Sequence, residues 1–302
     1  LQPLQLVDLD GDGEEEALAF LRRGSDERAL KIYIYERTED GYAQSAVIEG
    51  SGTAVYSVDY RDLDGDGRQE ILVSWKVGPE VQALSVFTLR LGTPRELMNS
   101  SYIRYAAADL DGDGREEILT FRADEQGAGT AEYYAWADDG TLVPAGVARL
   151  SMTMAELSAG QVLSGTLRGG EPAVFATGVS DSRVQVTDIL ALRDGELGNL
   201  TVSDSTGVSR EIYRYLGLFP TDIDGDGVTE LPVPEELLSS GDTESGCRVS
   251  WRSYDAAGTG ETALSAYHAL ADGWYLVLPE SWGDALSVWT EGAGSDASLA
   301  SF

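Results

Sequence analysis

Histidine and cysteine are nearly missing from this chain of 302 residues, which contains one of each, His268 and Cys247. A single cysteine cannot form an internal disulfide. A Ser-His-Asp arrangement would have to use His268, and Cys247 has no histidine close to it in the sequence to activate its thiol. Both residues fall in runs that we predict to be strands, and we interpret both as structural. The sequence therefore gives little support to nucleophilic catalysis.

Positive charge and long apolar runs are also scarce. The chain has 21 Lys and Arg against 52 Asp and Glu, which gives a net charge of -31. Because no basic patch is present to meet phosphate groups, we expect no nucleic-acid partner and no attraction to anionic membranes. No apolar run approaches the roughly 18 residues that a membrane helix needs. We therefore expect no membrane insertion by this segment.

The acidic residues are concentrated in a motif of nine residues that occurs four times. The copies are "DLDGDGEEE" (residues 8–16), "DLDGDGRQE" (62–70), "DLDGDGREE" (109–117) and "DIDGDGVTE" (222–230). Each copy has acids at positions 1, 3, 5 and 9, glycine at positions 4 and 6, and an apolar residue at position 2. So many like charges in one turn repel each other unless a cation neutralises them.

Oxygen ligands on alternate residues of a tight loop favour calcium, which takes about six to eight oxygens at flexible geometry. Magnesium resists dehydration and suits an all-protein cage less well. An Asp-Gly hairpin turn without metal stays open as the alternative reading, although four matching copies favour the ion. We predict about four structural calcium ions, with position 7 ligating through its backbone carbonyl. The predicted ligands are Asp8, Asp10, Asp12, Glu14, Glu16, Asp62, Asp64, Asp66, Arg68, Glu70, Asp109, Asp111, Asp113, Arg115, Glu117, Asp222, Asp224, Asp226, Val228 and Glu230.

The loops are not EF-hands, which need a bidentate Glu at position 12 between two helices. Position 12 is occupied by Ala19, Val73, Thr120 and Val233, none of which can replace that Glu. The segments that follow, such as "EILVSW" after the second loop, are short apolar runs typical of buried strands. Each loop is therefore predicted to be a β-hairpin turn around an ion.

The spacing of the loops predicts a repeat architecture. The first three start about 50 residues apart and the last gap is about twice as long, so we expect a degenerate unit between them. The stretch "SGTLRGGEPAVFATG" (164–178) keeps a glycine-rich turn and an apolar strand but lacks the Asp triplet, and we predict that it binds no calcium. Units of this length with several strands are typical of propeller blades. We predict an all-β fold, a β-propeller of about five four-stranded blades with calcium-binding hairpin loops.

These loops at this spacing resemble the FG-GAP/VCBS repeats of integrin-α-type β-propellers. We assign the propeller to residues 1–270, and 271–302 to a closing hairpin or the start of a truncated further domain. The ending "YHALADGWYLVLPESW" resembles the region that follows such repeats in bacterial surface lipoproteins. The resemblance implies an extracellular or cell-surface protein, tethered through a lipidated leader that has been removed. Because the chain starts at Leu1 rather than Met, we expect that upstream sequence was removed.

Two classes of function stay open. The first is a monomeric, non-catalytic, extracellular binding or scaffold module for a protein or glycan ligand. The second is a carbohydrate-active enzyme, such as a polysaccharide lyase, on a calcium-bound propeller. A tight cluster of carboxylates outside the loops with Arg or Lys favours the enzyme, and a flat aromatic patch favours binding. The aromatic residues form either such a patch or the filling between blades: Tyr33, Tyr35, Tyr133, Tyr134, Trp136, Trp251, Trp274 and Trp282.

Overall fold

The computed structural model of the protein describes residues 2–22, 30–50, 52–78, 82–90, 92–203, 205–235, 246–279, 281–282, 289–293 and 297–301. The chain divides into two compact units, Leu1–Arg149 and Leu150–Phe302. Both are built almost entirely from antiparallel strands. Within the described ranges, no helix has the length and hydrophobicity needed to cross a bilayer.

The first unit contains three four-stranded sheets, and in each sheet every strand pairs with the next one along the chain. The first sheet is β1 (Leu4–Val7), β2 (Glu16–Arg22), β3 (Leu30–Thr38) and β4 (Gly41–Glu49). The second is β5 (Ala54–Arg61), β6 (Glu70–Lys76), β7 (Gln82–Arg90) and β8 (Thr93–Tyr102). The third is β9 (Arg104–Ala108), β10 (Glu117–Ala123), β11 (Gly129–Trp136) and β12 (Leu142–Arg149). This order is that of a propeller blade.

The second unit begins with a short helix, α1 (Met154–Ser158), and contains two further sheets of the same kind. The fourth sheet is β13 (Gln161–Thr166), β14 (Pro172–Val179), β15 (Val184–Arg193) and β16 (Glu196–Asn199), and β17 (Ile212–Arg214) also pairs with β15. The fifth is β18 (Leu231–Glu235), β19 (Cys247–Tyr254), β20 (Gly260–Ala269) and β21 (Trp274–Val277). A separate hairpin joins β22 (Trp289–Ala293) and β23 (Ala297–Ser301). The predicted all-β class and the five blade-like sheets are confirmed.

Apolar cores lie between successive sheets of a unit. In β3, Leu30, Ile32 and Ile34 are buried and alternate with half-buried residues, so one face of the first sheet packs inward. That face meets Val73 and Trp75 from β6 in one cluster. Similar clusters join the second sheet to the third and the fourth to the fifth. Burial on both faces explains why β6 is a continuous apolar run.

The fifth sheet differs from the prediction in its strand order. The alternating run "EIYRYLGLFPTD", just ahead of the fourth loop, predicts the start of the fifth unit, but Ile212–Arg214 pairs with β15 of the fourth sheet. Gly217 then turns the chain with a φ of 80°, and only the bridge between Thr221 and Glu230 flanks the loop. The alternation of apolar and polar residues does not determine which strand a three-residue strand pairs with. Tertiary packing determines that pairing.

As a consequence, the "ALSAYHAL" strand is third in the fifth sheet and Trp274–Val277 is its outer strand. The boundary proposed between residues 270 and 271 falls in the turn that joins β20 to β21. That domain division, and the ring-closing role given to residues 271–302, stay predictions. Residues 283–288 of that segment lie outside the described residues.

Helix α1 was not anticipated, although its sequence carries a signal. The Thr153 side chain accepts a hydrogen bond from Glu156 N, and the Glu156 carboxylate accepts one from Thr153 N. This reciprocal capping box needs a Thr and a Glu three residues apart ahead of apolar residues. Met154 and Leu157 fix the short helix by burial.

We predict that Trp75→Ala strongly destabilises the protein. Trp75 is fully buried and its Nε1 donates a hydrogen bond to Ser85 Oγ at 3.1 Å. Removal of such a ring leaves a cavity and costs about 3–5 kcal/mol of unfolding free energy, measurable by urea denaturation. The control is Tyr56→Ala in the same sheet, because Tyr56 is 61% exposed and should change stability by only about 0.5 kcal/mol. Equal losses of unfolding free energy in the two variants would contradict the burial of Trp75 in the core.

Candidate metal centres

The four acidic loops occupy equivalent places in their sheets. The first three join two antiparallel strands, and the Glu at position 9 is the first residue of the outgoing strand. Thus Glu16 pairs with Val7, and Glu70 pairs with Arg61. In the fourth loop Glu230 forms a bridge with Thr221. The prediction that the loops are hairpin turns rather than EF-hands is confirmed.

The apolar residue at position 2 anchors each loop to the core and also binds the glutamate. Leu9, Leu63 and Leu110 are at most 4% exposed. Their backbone N–H groups donate to the Oε2 atoms of the position-9 Glu residues at 2.8, 3.0 and 2.9 Å. The fourth loop makes the same bond at 3.2 Å, from Ile223 N to Glu230 Oε2. One main-chain bond therefore fixes the glutamate in all four copies.

The Asp at position 1 is held by backbone N–H groups of the turn. In the first loop Asp8 Oδ1 accepts from Gly11 N at 2.8 Å and Oδ2 from Gly13 N at 3.0 Å. Both glycines have positive φ, 75° and 89°, a conformation that costs other residues energy. Calcium loops use a glycine at position 6 for the sharp turn, and here position 4 adopts a positive φ as well.

Three carboxylates converge in each loop, with one oxygen from each lying within 4.8 Å of the others. The four groups are Asp8, Asp10 and Glu16; Asp62, Asp64 and Asp66; Asp109, Asp111 and Glu117; and Asp222, Asp224 and Glu230. The convergence of positions 1, 3 and 9 in three loops is the donor arrangement that the sequence pattern implied.

The remaining predicted ligands lie beside these groups. The position-5 carboxylates Asp12, Asp113 and Asp226 accept a hydrogen bond from the N–H of position 7. The position-7 residues are Glu14, Arg68, Arg115 and Val228. Their assignment as carbonyl ligands stays a prediction. In the second loop Glu70 is outside the converging group and Asp66 takes its place.

The position-9 glutamates carry an electrostatic cost. All four are buried, with Glu16 the most exposed at 6%. Burial, reinforced by the neighbouring aspartates, raises the pKa of Glu117 and of Glu230 to about 7, and it raises the pKa of Glu16 and Glu70 above the usual range. The Oε1 atoms of Glu70 and Glu230 have no hydrogen-bond partner among the described residues. Such orphaned, charged oxygens fit a bound cation, because a buried charge is stable only when paired or coordinated.

The second loop has a built-in positive partner. Arg90, at the end of β7, places Nη2 2.9 Å from Asp64 Oδ2 and Nη1 2.7 Å from Asp66 Oδ2. This fork brings positions 3 and 5 together, which accounts for the different converging group. In the third loop the Arg115 guanidinium donates to a single carboxylate oxygen, Asp113 Oδ2, from Nη2 at 2.6 Å and from Nε at 3.0 Å. The four sites are therefore similar in backbone but different in local charge.

The loops also link neighbouring sheets within each unit. Gln69 N donates to Leu9 O at 2.8 Å and Glu116 N donates to Leu63 O at 2.7 Å. A side chain cannot replace Gly11, because its Cβ would lie 2.5 Å from Gly67 O. Each link runs from position 8 of one loop to position 2 of the preceding one. A loop deformed by charge repulsion would therefore disturb two sheets.

The degenerate turn of the fourth sheet keeps this backbone link without the acids. Thr229 N, at position 8 of the last loop, donates to Thr166 O at 2.9 Å. Leu167 is fully buried, like the position-2 anchors, and its N–H bonds to Glu171 O at 2.8 Å to close a shorter turn. That this turn binds no calcium stays a prediction.

The tertiary structure corrects one statement about the rare residues. Cys247 was described as having no histidine nearby, yet His268 is its direct partner across β19 and β20. The pair is still unsuited to nucleophilic chemistry. His268 Nε2 accepts a hydrogen bond from Trp251 Nε1 at 3.0 Å, and burial raises the pKa of the Cys247 thiol to about 11.

Three of the eight singled-out aromatic residues, Tyr133, Tyr134 and Trp251, fill space within the units and are at most 6% exposed. Tyr33, Tyr35 and Trp136 are half-buried. Trp274 and Trp282 are exposed, at 39% and 41%. The packing interpretation holds for the first three, while Trp274 belongs to an exposed outer strand.

Comparisons with known proteins agree with the loop analysis. Residues 8–73 match the model of the FG-GAP-like repeat family, which confirms the resemblance for the first two loops. No curated protein is significantly similar to the chain. Among solved structures, the exotype rhamnogalacturonan lyase YesX is similar at 13% identity and a TM-score of 0.38, over 89% of this chain and 56% of the lyase. A protein from Lactobacillus plantarum is similar at 11% identity and a TM-score of 0.36, over 83% of this chain and 67% of that one. The chain thus spans just over half the length of the lyase.

We predict that Glu117→Gln stabilises the metal-free protein at pH 8. The pKa of Glu117 is raised to about 7 from 4.5, so its contribution to stability is present below pH 4.5 and is lost as pH rises through 7. The neutral amide avoids that loss. Thermal melting in chelator should show a higher midpoint for the variant at pH 8, and the difference should shrink toward pH 4.5. The exposed Glu125→Gln should show no such trend, and a lower midpoint for Glu117→Gln at pH 8 would contradict the burial argument.

Proposed function

We propose that this protein is a calcium-stabilised β-propeller that acts outside the cell as a non-catalytic binding or scaffold module. The observation that carries the proposal is that three carboxylates converge in each of the four loops, next to or including a buried position-9 glutamate. In this proposal each of the four loops holds one ion.

Calcium is the cation that suits these donors. The carboxylates at positions 1, 3, 5 and 9 offer only hard oxygen atoms, which calcium prefers. Asp8, Asp10 and Glu16 hold the first ion, the equivalent residues hold the third and fourth, and Asp62, Asp64 and Asp66 converge at the second. A bound ion offsets the charge repulsion within the loop and supplies a partner for the buried glutamate. Its role is structural, because the loop is tied by hydrogen bonds to the neighbouring sheet.

A binding role is supported by the outer strand of the fifth sheet. Trp274, Tyr275, Leu276 and Val277 are between 36% and 51% exposed, and β21 is the last strand of that sheet. Apolar patches exposed in this way are typical of surfaces that bind another molecule. The proposed partner is a protein or glycan, and the proposed oligomeric state is a monomer.

The enzyme alternative has less support. Outside the loops, the buried carboxylate of Glu211 accepts a hydrogen bond at Oε2 from Tyr213 Oη at 2.7 Å. Glu211 is only 6% exposed, and burial raises the pKa of both Tyr213 and Tyr254 well above the usual range. Phenols that hold their protons so firmly are poor general bases.

The proposed location outside the cell is supported by the chemistry of the proposed sites. Calcium loops would be loaded where calcium is abundant, as in extracellular modules that bind it at about millimolar concentrations. A lipidated leader upstream of this segment would place the module at the cell surface, as the resemblance implies.

We predict that calcium raises the melting temperature of the wild-type protein above its value in chelator. Each ion that binds only the folded state adds RT ln(1 + [L]/Kd), about 2.7 kcal/mol at 100-fold excess over Kd. Differential scanning calorimetry with calcium and with chelator tests this. Glu70→Gln should lose the increment of the second site, whereas Arg68→Ala should keep it. An unchanged wild-type midpoint in chelator would mean that the loops are acidic turns without metal.

We predict that Arg90→Ala strengthens calcium binding at the second loop by about two- to tenfold. Its guanidinium pairs with two predicted ligands, and exposed ion pairs contribute up to about 1 kcal/mol each, where 1.4 kcal/mol is a factor of ten. Calorimetric titration in a background of Glu16→Gln, Glu117→Gln and Glu230→Gln isolates this site.

The matched control is Arg95→Ala in the same background. Arg95 lies in the same sheet and pairs with Asp139, outside the loops. The two variants change the net charge equally, so a general charge effect would strengthen binding in both. Equal affinities for the Arg90 and Arg95 variants would contradict a direct competition between the guanidinium and the ion.

A further inference from the structure

A cavity of about 670 Å³ in the second unit is positively charged at its rim, which is unusual for a protein with a net charge of -31. It lies between the turn that joins β14 to β15 and the turn that joins β20 to β21. Its lining includes Arg183, Arg214, Tyr215, Leu216 and Leu270. Among the described residues that line it there is no acid. Its size falls in the range typical of small-molecule sites.

The two arginines are held on a rigid frame. Arg214 belongs to β17 and lies opposite Val184, the residue after Arg183. Tyr215 N donates to Arg183 O at 2.8 Å, which ties the two segments together beside the cavity. The turn itself is closed by bonds from Arg183 N to Ser180 O and from Ser180 N to Val184 O, both at 2.9 Å. The backbone segments that carry the two arginines are thus joined beside the cavity, and an anion bound there would be attracted by both positive charges.

Arg183 occupies this position at a conformational cost. Its φ is 60°, and the only other described residue besides glycine with a positive φ is Asp194. A long side chain in that conformation is uncommon, since glycine or asparagine would fit the turn better. The guanidinium lies over the Tyr215 ring, 5.8 Å from its centroid. Strain of this kind tends to persist where a side chain is needed for binding.

The lining also selects the kind of anion. Tyr215, Leu216 and Leu270 give the cavity an apolar wall, and Tyr215 is supported by Phe219, with ring centroids 5.6 Å apart. Guanidinium groups bind carboxylate and phosphate through paired hydrogen bonds. The strongly acidic chain penalises each further negative charge on a ligand, so a monoanionic carboxylate is favoured over a phosphate dianion. The volume accommodates a ring-sized body attached to it.

We propose that this cavity binds a small organic carboxylate of about one ring, with Arg183 and Arg214 pairing with its carboxylate group. This proposal names a class of ligand for the binding module proposed above, and it rests on the proposed function because it assumes that the protein is such a module. The calcium loops are tested by melting and the cavity by ligand titration. Either proposal can therefore fail without the other.

The experiment is calorimetric titration of the calcium-loaded whole chain with four probes: glucuronate, benzoate, glucose and glucose 6-phosphate. We expect glucuronate or benzoate to bind at least about ten times more tightly than glucose, because a charge-assisted hydrogen bond is involved. If only glucuronate binds, the ligand is an acidic sugar. If only benzoate binds, the ligand is a carboxylate that is not a sugar. If both bind, the site recognises the carboxylate group itself. Failure of both to bind at millimolar concentration, equal binding of glucose, or tighter binding of glucose 6-phosphate would overturn the proposal.

Variants test the two arginines directly. Arg183→Asn removes the guanidinium but suits the turn, so it should weaken binding about ten- to one-hundredfold while the melting midpoint stays equal or rises. Arg183→Lys should bind with intermediate affinity because it keeps the charge without the planar fork. Arg214→Gln should weaken binding without changing the strained turn. This variant therefore tests the proposal even if Arg183→Asn folds poorly.

The control is Arg193→Gln, at the far end of the same ten-residue strand, roughly 30 Å away at 3.3 Å per residue. It changes the net charge by the same amount and should leave the affinity unchanged. If Arg183→Asn and Arg214→Gln bind the carboxylate as well as the wild type does, the assignment is wrong. The same holds if the control weakens binding as much as they do.

Discussion

The hydrogen bond from the backbone of the position-2 residue to the position-9 glutamate is the contact on which each repeated loop depends. It joins the residue that anchors the loop in the core to the residue that begins the outgoing strand. It also buries a carboxylate beside three aspartates. Burial favours the neutral acid and coordination favours the charged one, so each loop balances the cost of an isolated charge against the gain from a cation.

That balance extends beyond the turn because the loops are connected. Position 8 of one loop donates to position 2 of the loop before it, so each loop borders two sheets. In the degenerate turn Thr166 keeps a backbone hydrogen bond with Thr229 although the Asp triplet is absent. Linking two sheets and carrying the acidic residues are therefore separate roles of a loop. Within each unit the loops therefore join adjacent sheets by backbone hydrogen bonds, and in the proposed function a cation held by the acidic residues adds to that link.

The few positive charges of the chain are used locally. Arg90 bridges two carboxylates of the second loop, and Arg168 pairs with Asp255 and Glu261 at 3.3 and 2.7 Å. Arg183 differs, because it makes no ion pair with any described residue and lies over a tyrosine at a cavity. Because the chain has 52 acidic residues, a surface acid says little about where a ligand binds, whereas a guanidinium in that position indicates a binding site for an anion. In the proposed function the metal-binding loops stabilise the module, and the cavity and the outer strand are its proposed binding surfaces.

Residue spacing alone determined the repeated unit of this protein. Alternating acids with glycines define the loops, and the apolar runs after them define the strands, because both patterns are set by neighbours a few residues apart. The same local information located the fourth sheet without its acids. It could not place Ile212–Arg214, which is too short to choose a partner by pattern, and it could not bring His268 opposite Cys247.

The differences among the loops and the position of the cavity were decided by tertiary structure. Arg90 is 20 residues beyond the end of the second loop, and only the return of β7 along the sheet brings it to Asp64. Arg183 comes from the β14–β15 turn and Arg214 from β17, far apart in the sequence, and the β20–β21 turn completes their cavity. Contacts between residues far apart in the chain follow from the packing of whole sheets. Local sequence determines the sheets but not which of their residues will meet.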